Sequence, residues 1–481
     1  MKKPVLERTQ EHGGIFFSFF LFILCGTILG VGCVAFQKLT TFNPLTVSFF
    51  EKEPPALLWD NLPKGIGTEP IQVQLQALDK DAGLDQILVR LVQGNQAKTV
   101  YQKTFRSEVK NSHNISITLN PKAAQLKEGS VELQAIAFDK ALWNNGTKIT
   151  HKLDINFHKP HISVITPQQN GVLGGAELVF YKVTGTTPES QGVLTDGVLY
   201  PGFAAQGWSP TFQSRPSVYL TLYPIRQSLG TRKPTMQIYA RDAVGNVVTA
   251  NFPHRTRKKR WATHRSRINI EQARSLAAQL RQFASQSGIT LSNTSSISDE
   301  LKSLAKELAA YDEKVLSDTL SRPGPTRLWQ DYFLIPVQVS SSNSTGDLRI
   351  LSVGSEEILR ARENGVRFTV SRPFSVLAAN SGKVLYTGKL GLLGTTLILD
   401  HGMGLTTLYS HLSHTSPKVG ETVHRGQVIG TTGRSGLATS NELYFQVRIH
   451  GVPVSPREWW DKRWVSEHID EKIAYVLRSA P

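Results

Sequence analysis

A chain of 481 residues is long enough for about three domains at roughly 150 residues each. Its 54 Lys and Arg outnumber its 38 Asp and Glu, and the resulting charge of +16 favours anionic partners such as phospholipid, wall polymer or nucleic acid without choosing among them. Both cysteines, Cys25 and Cys33, fall in one apolar run, so disulfides, zinc ribbons, iron–sulfur clusters and cysteine nucleophiles are excluded from the rest of the chain.

That run, Ile15 to Phe36, carries no charged residue. At about 1.5 Å per residue it reaches roughly 33 Å, enough to cross a hydrocarbon core of about 30 Å as a helix. It leaves through Val34-Ala35-Phe36-Gln37-Lys38 without a small-x-small exit, which favours an uncleaved anchor over a signal peptide. Cys33 follows Gly30-Val31-Gly32, a poor lipidation context. Lys2, Lys3 and Arg8 precede the span, which predicts a cytoplasmic tail at 1–14, a transmembrane helix at 15–36 and the bulk of the chain outside the cytoplasmic membrane. No Walker-type loop, dinucleotide fingerprint or helix-turn-helix pattern follows, so a nucleotide or nucleic-acid role has no support.

From 54 to about 253, apolar and polar residues alternate in short runs, as in Ile71-Gln72-Val73-Gln74-Leu75 and Val218-Tyr219-Leu220-Thr221-Leu222, the pattern of half-buried strands. Ala137-Phe138-Asp139 before Asn144-Asn145-Gly146 is echoed by Ala240-Arg241-Asp242 before Gly245-Asn246, a last-hairpin signature of small sandwiches. Two immunoglobulin-like modules are expected, at 54–159 and 160–253, with Gly171 to Gly207 read as loop and both modules read as spacers.

A basic run follows, Arg255, Arg257, Lys258, Lys259, Arg260, Arg265 and Arg267 around Trp261, read as a linker or a patch for anionic lipid or wall polymer. The basic linker and a helical segment together span 254–325. Asn269 with Gln272 forms a capping-box pattern ahead of Ala273, Leu276, Ala277 and Leu280. A second helix is predicted from about Ile297 to Leu320, with Leu301, Leu304, Leu308 and Tyr311 on one stripe. Pro323-Gly324-Pro325 ends it.

Strand patterns with regular glycine turns return at 333–460, before a C-terminal tail at 461–481. Gly394-Thr395-Thr396-Leu397-Ile398-Leu399-Asp400-His401-Gly402, Leu408-Tyr409-Ser410-His411-Leu412, Gly426-Gln427-Val428-Ile429-Gly430 and Val452-Pro453-Val454-Ser455-Pro456 appear in this order. The series resembles the core domain of the lysostaphin/LytM-type zinc endopeptidases, which cut peptide cross-links in peptidoglycan. The resemblance implies a mainly β fold, a duplicated hybrid motif, for the last quarter of the chain. It also implies where zinc would sit: on the His and Asp of an H-x-G-x-D segment and the second His of a late H-x-H, with a fourth position open for water.

Aligned on Gly365, the first segment reads Glu363-Asn364-Gly365-Val366-Arg367, so Glu363 and Arg367 stand at the ligand positions. Aligned on Leu443 and Phe445, the late motif places Glu442 at the general-base position and Tyr444 at the third ligand. Only His411 keeps its family identity. A guanidinium about 4 Å from a divalent cation is repelled by roughly 8 kcal/mol at an effective dielectric of 20, against roughly 10–16 kcal/mol for tight structural zinc binding. No zinc and no other cofactor is therefore expected, and Arg367 is expected to pair with Glu363 and Glu442 instead.

Glu363, Arg367, His411, Glu442 and Tyr444 are then candidates for a binding groove. The expected protein is a membrane-anchored envelope protein with a non-catalytic LytM-like domain that binds peptidoglycan or regulates a wall hydrolase. The alternatives are a zinc endopeptidase with an altered ligand set and a structural envelope or secretion scaffold. His401, His414, His424 and His450 are read as surface or structurally satisfied residues.

Overall fold

The computed structural model describes residues 51–106, 110–226, 234–291, 294–339 and 343–479. The expected tail at 1–14 and span at 15–36 lie outside the described residues. Among the described residues no helix is long and apolar enough to cross a membrane. The fold is mainly β with few helices, and the chain divides into two units, one of residues up to 157 with 244–246 and one of 158–243 with 247–481.

In the first unit, alternation does what period 2 requires. Val73, Leu75 and Ala77 of the strand Ile71–Leu78 are buried, while Gln72 and Gln74 face water. This strand lies between Ala56–Asp60 and Ser112–Leu119 in an antiparallel three-stranded sheet. A five-stranded sheet runs in the order Gly65–Ile66, Gly146–Ile155, Gly129–Asp139, Leu84–Gln93, Gln96–Thr104. Val73 and Ile117 from the first sheet share one core with Ile87, Val89, Leu91 and Leu133 from the second. The hairpin between Leu84–Gln93 and Gln96–Thr104 turns through Gly94-Asn95, with Gly94 at φ 58°, as a two-residue turn between right-twisted strands demands.

The second unit opens with two four-stranded sheets. One orders Phe203–Ala204, Val218–Pro224, Ala176–Thr184 and His161–Val164; the other orders Val198–Pro201, Pro188–Thr195, Met236–Asp242 and Val247–Asn251. The stretch read as loop, Gly171 to Gly207, thus holds three strands of four or more residues apiece. Val179, Tyr181 and Val183 pack with Val193, Ile238 and Ala240 of the facing sheet. The opposite face, Leu178, Phe180, Leu220 and Leu222, enters the core of the C-terminal domain beside Trp208, Trp329, Phe333 and Trp459. A sheet buried on both faces is a wall of the larger core, not a free-standing spacer.

The basic run is not a linker either. His254–Arg257 pairs in parallel with Gln169–Val172, and Thr263–Ile268 pairs in parallel with Leu348–Val353. The helix Ile270–Gln286 starts at Asn269, whose side chain accepts from the Gln272 N–H while the Gln272 side chain accepts from Asn269, both halves of a capping box. The helix Ile297–Leu320 is capped by Ser296. Leu276, Leu280, Leu301, Leu304 and Leu308 bury their stripe with Leu351 and Ile358.

The C-terminal domain is one antiparallel sheet whose main path runs Val366–Thr369, Glu442–Ile449, Leu405–Thr415, Gly394–Asp400, Gly382–Leu390, Thr422–Val423. The expected tail at 461–481 is helical over Lys462–Val465 and Glu471–Ser479. Its Val465, Ile469 and Val476 are buried in the common core, and Lys472 donates to the carboxylate of Glu177, to Gln169 and to the Leu178 carbonyl oxygen.

Candidate functional site

Strand register brings the candidate residues together. In the pairing of Val366–Thr369 with Glu442–Ile449, Arg367 stands opposite Tyr444. On the other side of the same strand, Ser410 stands opposite Tyr444. The next residue, His411, has φ 62°, and from Leu412 onward its strand pairs with Val428–Thr432 instead. A non-glycine residue in the left-handed region marks a kink, and this kink carries the imidazole to Arg367. Gly365 is required where it stands, because a Cβ there would lie 2.2 Å from the Phe445 carbonyl oxygen.

Arg367 is the hub. Its Nε donates to Glu363 Oε1 at 3.1 Å, and its Nη1 donates to Glu442 Oε1 at 2.6 Å and to His411 Nε2 at 3.2 Å. Its guanidinium carbon lies 4.5 Å from the centre of the Tyr444 ring. The Tyr444 hydroxyl accepts from the Asn364 N–H at 2.9 Å. Glu363, His411, Glu442 and Tyr444 are all buried. Burial opposes the charge on Arg367, but the carboxylates of Glu363 and Glu442 outweigh it and hold the guanidinium above its usual value. His411 Nδ1–H donates to the Ser435 carbonyl oxygen at 2.9 Å, which leaves Nε2 as the acceptor for Arg367 and fixes a neutral ring. Burial, and then the charges of Arg367 and Arg349, push this histidine well below its ordinary value. Burial, reinforced by Glu363, pushes the Tyr444 phenol up.

A cavity of about 220 Å³ opens beside this cluster. Arg349, Arg362, Arg367 and Arg448 line it, and so do the carboxylates of Glu363, Asp312 and Glu313. The second helix supplies Asp312, Glu313 and Leu316, and Glu313 pairs with Arg448 at 3.7 Å. Asp312 accepts from the N–H groups of Gly391, Leu392 and Leu393 and so pins the loop that closes the cavity. Burial, opposed by those same N–H groups, raises its carboxyl to about 6.

Arg349, Arg448 and Asp312 escape a reading of the sequence. Arg349 sits in Leu348–Val353, far from any motif, and is buried at 8% exposure; burial and the charge of Arg367 pull it down to about 10. Arg448 follows the late motif at strand spacing, with Gln446 between, and donates to Gln446 and Gly451. Alternation along Glu442–Ile449 is the one signal that places Tyr444, Gln446 and Arg448 on the same face.

The other histidines do structural duty or face water. His401 is fully buried; its Nδ1 donates to the Ser381 carbonyl oxygen and its Nε2 accepts from Thr407, and burial lowers it to about 4. His450 stacks on Phe203, and His414 and His424 are exposed. In the basic run Arg255, Arg257, Lys258, Arg260, Arg265 and Arg267 are exposed, whereas Lys259 is half-buried.

Zinc needs lone pairs. Arg367 has five donors and no acceptor, and Tyr444 keeps its proton at neutral pH. The residues at the resemblance-implied positions therefore do not make the donor set that such a site uses.

Comparison with known proteins agrees with the resemblance over this segment. The model of the family Peptidase family M23 matches residues 361–456. DD-carboxypeptidase/endopeptidase Mpg of Neisseria meningitidis is 35% identical over 92 residues, 19% of this chain and 21% of that protein. Stage II sporulation protein Q of Bacillus subtilis is 34% identical over 93 residues, 19% of this chain and 33% of that protein. Peptidoglycan DD-endopeptidase ShyA of Vibrio cholerae is 33% identical over 95 residues, 20% of this chain and 22% of that protein. The chain spans a third or less of each relative's length. Residues 361–456 form a LytM-type peptidase M23 domain, related to cell-wall endopeptidases, at the C-terminal end of the chain.

Proposed function

We propose that this is a single-pass protein of the cytoplasmic membrane whose M23 domain is not a zinc peptidase but a binding domain of the cell envelope, engaging peptidoglycan or a wall hydrolase. One observation carries the reading: Arg367 lies between Glu363 and Glu442, donating at 3.1 and 2.6 Å, at the positions where the resemblance puts the metal site. A cation there would have to displace a guanidinium that two carboxylates already neutralise. The cavity beside the cluster carries Arg362, for which no carboxylate partner is found among the described residues, and an arginine there suits the carboxylate end of a short peptide, which it binds in bidentate fashion.

In this reading the segment 15–36 anchors the chain with its N-terminus inside, the first unit is an immunoglobulin-like sandwich, and the C-terminal sheet is a duplicated hybrid motif. Arg265 and Arg267 and their neighbours serve anionic lipid or wall polymer. A second reading, a zinc endopeptidase with an altered ligand set, draws on the retained His411 and on the names of the endopeptidase relatives.

The test is zinc content and muropeptide release, measured on full-length protein purified in detergent without chelator and incubated with sacculi. Co-sedimentation with sacculi, no stoichiometric zinc and no new fragments is the expected result. Near-equimolar zinc with chelator-sensitive fragments overturns the proposal in favour of the peptidase. Failure to sediment with sacculi or to bind any wall hydrolase leaves the envelope scaffold as the reading.

A further inference from the structure

Away from the M23 domain, three carboxylates meet inside the first unit. Glu51, Asp79 and Asp139 are 8%, 6% and 1% exposed, and each offers an oxygen within 4.8 Å of the other two. Three different parts of the chain supply them: Glu51 precedes the first strand, Asp79 follows Ile71–Leu78, and Asp139 ends Gly129–Asp139.

The oxygens are partly held by the protein. Glu51 Oε2 accepts from the Ala82 N–H at 2.6 Å, and Asp79 Oδ1 accepts from the Gly83 N–H at 2.5 Å. Asp139 Oδ1 accepts from the N–H groups of Ala141 and Asn145, and its Oδ2 accepts from the Asn145 side chain. Asp79 Oδ2 is different: it is shielded from water and has no hydrogen-bond partner among the described residues. A carboxylate oxygen in that state is rare, because a buried acceptor left without a donor is costly. The charges acting on Glu51 are Asp79, Asp81 and Asp139, all negative. Burial first, and then these like charges, raise both Glu51 and Asp79 above the usual carboxylate range.

We propose that Glu51, Asp79 and Asp139 form a calcium site in the first unit. Oxygens no more than 4.8 Å apart leave a central point about 2.8 Å or less from each, a few tenths of an ångström beyond the roughly 2.3–2.6 Å of a calcium–oxygen bond. Calcium tolerates irregular oxygen cages of that size, whereas magnesium demands an octahedron at about 2.0–2.1 Å and gives up its water reluctantly. An all-carboxylate set excludes the softer metals that look for sulfur or imidazole. Asp79 Oδ2 has lone pairs that no hydrogen bond among the described residues uses, and Gly83, at φ 81°, lets the following loop fold back so that the N–H groups of Ala82 and Gly83 hold the oxygens of Glu51 and Asp79. The ion would tie Glu51 to the ends of two strands, one from each sheet of the unit.

The test uses full-length protein in detergent, stripped with chelator and titrated with calcium chloride, by calorimetry and by thermal unfolding. One saturable site with a dissociation constant of about 10⁻⁴–10⁻³ M is expected, together with a rise in unfolding temperature that equal magnesium does not give. Asp79→Asn and Glu51→Gln should each weaken this binding at least about tenfold. Because each substitution removes one of three repelling charges, both variants should unfold in chelator no earlier than the parent. This keeps loss of binding distinct from loss of fold. No saturable binding up to about 10 mM, equal affinity for magnesium, or an unchanged isotherm in both variants overturns the proposal.

Discussion

Replacing Arg367 by methionine keeps most of the side-chain volume and removes the charge. At an effective dielectric of about 20, a cation 3.1 Å from Glu363 and 2.6 Å from Glu442 gains about 5–6 kcal/mol from each. The several kcal/mol that each buried ion loses in leaving water offset much of this. The loss on truncation is set by what remains: two carboxylates at 5% and 4% exposure with no cation between them and only Arg349, 4.0 Å from Glu363, beside them. Breaking a buried pair in this way costs about 3–5 kcal/mol. Urea unfolding of the second unit, followed by tryptophan fluorescence, measures it. The double variant Arg367→Met, Glu442→Gln should recover most of the loss, since an amide of the same shape carries no charge to strand and Glu363 keeps Arg349, 4.0 Å away, as its counter-charge. A loss under about 1 kcal/mol in the single variant, or a double variant no more stable than the single, refutes the view that Arg367 neutralises this site.

Glu458 gives a prediction in pH. Burial pushes its carboxyl up to about 8, against a hydrogen bond from the Ala176 N–H at 2.9 Å. The folded state then holds a proton that the unfolded state releases above about 4.5, so stability falls as pH rises from about 5 to about 8. Glu458→Gln should flatten that part of the unfolding-temperature profile; an unchanged slope contradicts the assignment. Glu177 has the opposite sign: burial opposes its charge, but His468 and Lys472 outweigh burial and hold it below 4.5. Its contribution is present at neutral pH and is lost as pH falls through that lower value. Lys472→Met should cost about 3–5 kcal/mol at pH 7 by the same logic of a stranded buried charge, with Lys472→Met/Glu177→Gln recovering much of it in urea unfolding. Arg265→Ser with Arg267→Ser, both exposed, should leave the unfolding temperature within about 1–2 °C and weaken sedimentation with sacculi or anionic vesicles at low salt.

What could be read from the sequence was local. The helices Ile270–Gln286 and Ile297–Leu320 announce themselves by the cap at Asn269, by the stop at Pro323-Gly324-Pro325 and by leucines at helical period, and none of these signals needs the rest of the fold. Glu363, Arg367, His411, Glu442 and Tyr444 could be named because a resemblance supplied their alignment; their distances depend on strand register, which no single segment encodes. Ala176–Thr184 follows Gly174-Gly175, and because both of its faces are buried it lacks the alternation that betrays a half-exposed strand. The basic run reads as solvated, and its side chains are apart from the half-buried Lys259, but its backbone completes two parallel pairings with partners as distant as Leu348–Val353. Arg349 shows the same limit, since a charged residue in an apolar strand reads as outward-facing until a buried counter-charge is located.

The sheet that contains Ala176–Thr184 has a consequence for how the chain acquires its structure. Leu178, Phe180, Leu220 and Leu222 are covered by groups that include Trp459, Ile469 and Val476, and the Lys472 to Glu177 contact closes a separation of 295 residues. During vectorial synthesis the first unit's core residues, from Ile66 to Ile155, emerge early, and its sheets can collapse while later segments are still being made. The second unit has no such option. Its outer apolar face is not fully covered until residues as late as Trp459, Ile469 and Val476 are available, so its final step is slow, non-local and exposed to aggregation. A chain clipped ahead of Glu471–Ser479 would retain its M23 strands and yet lose Val476 from that core and Lys472 from Glu177, opening part of the face to proteases and chaperones.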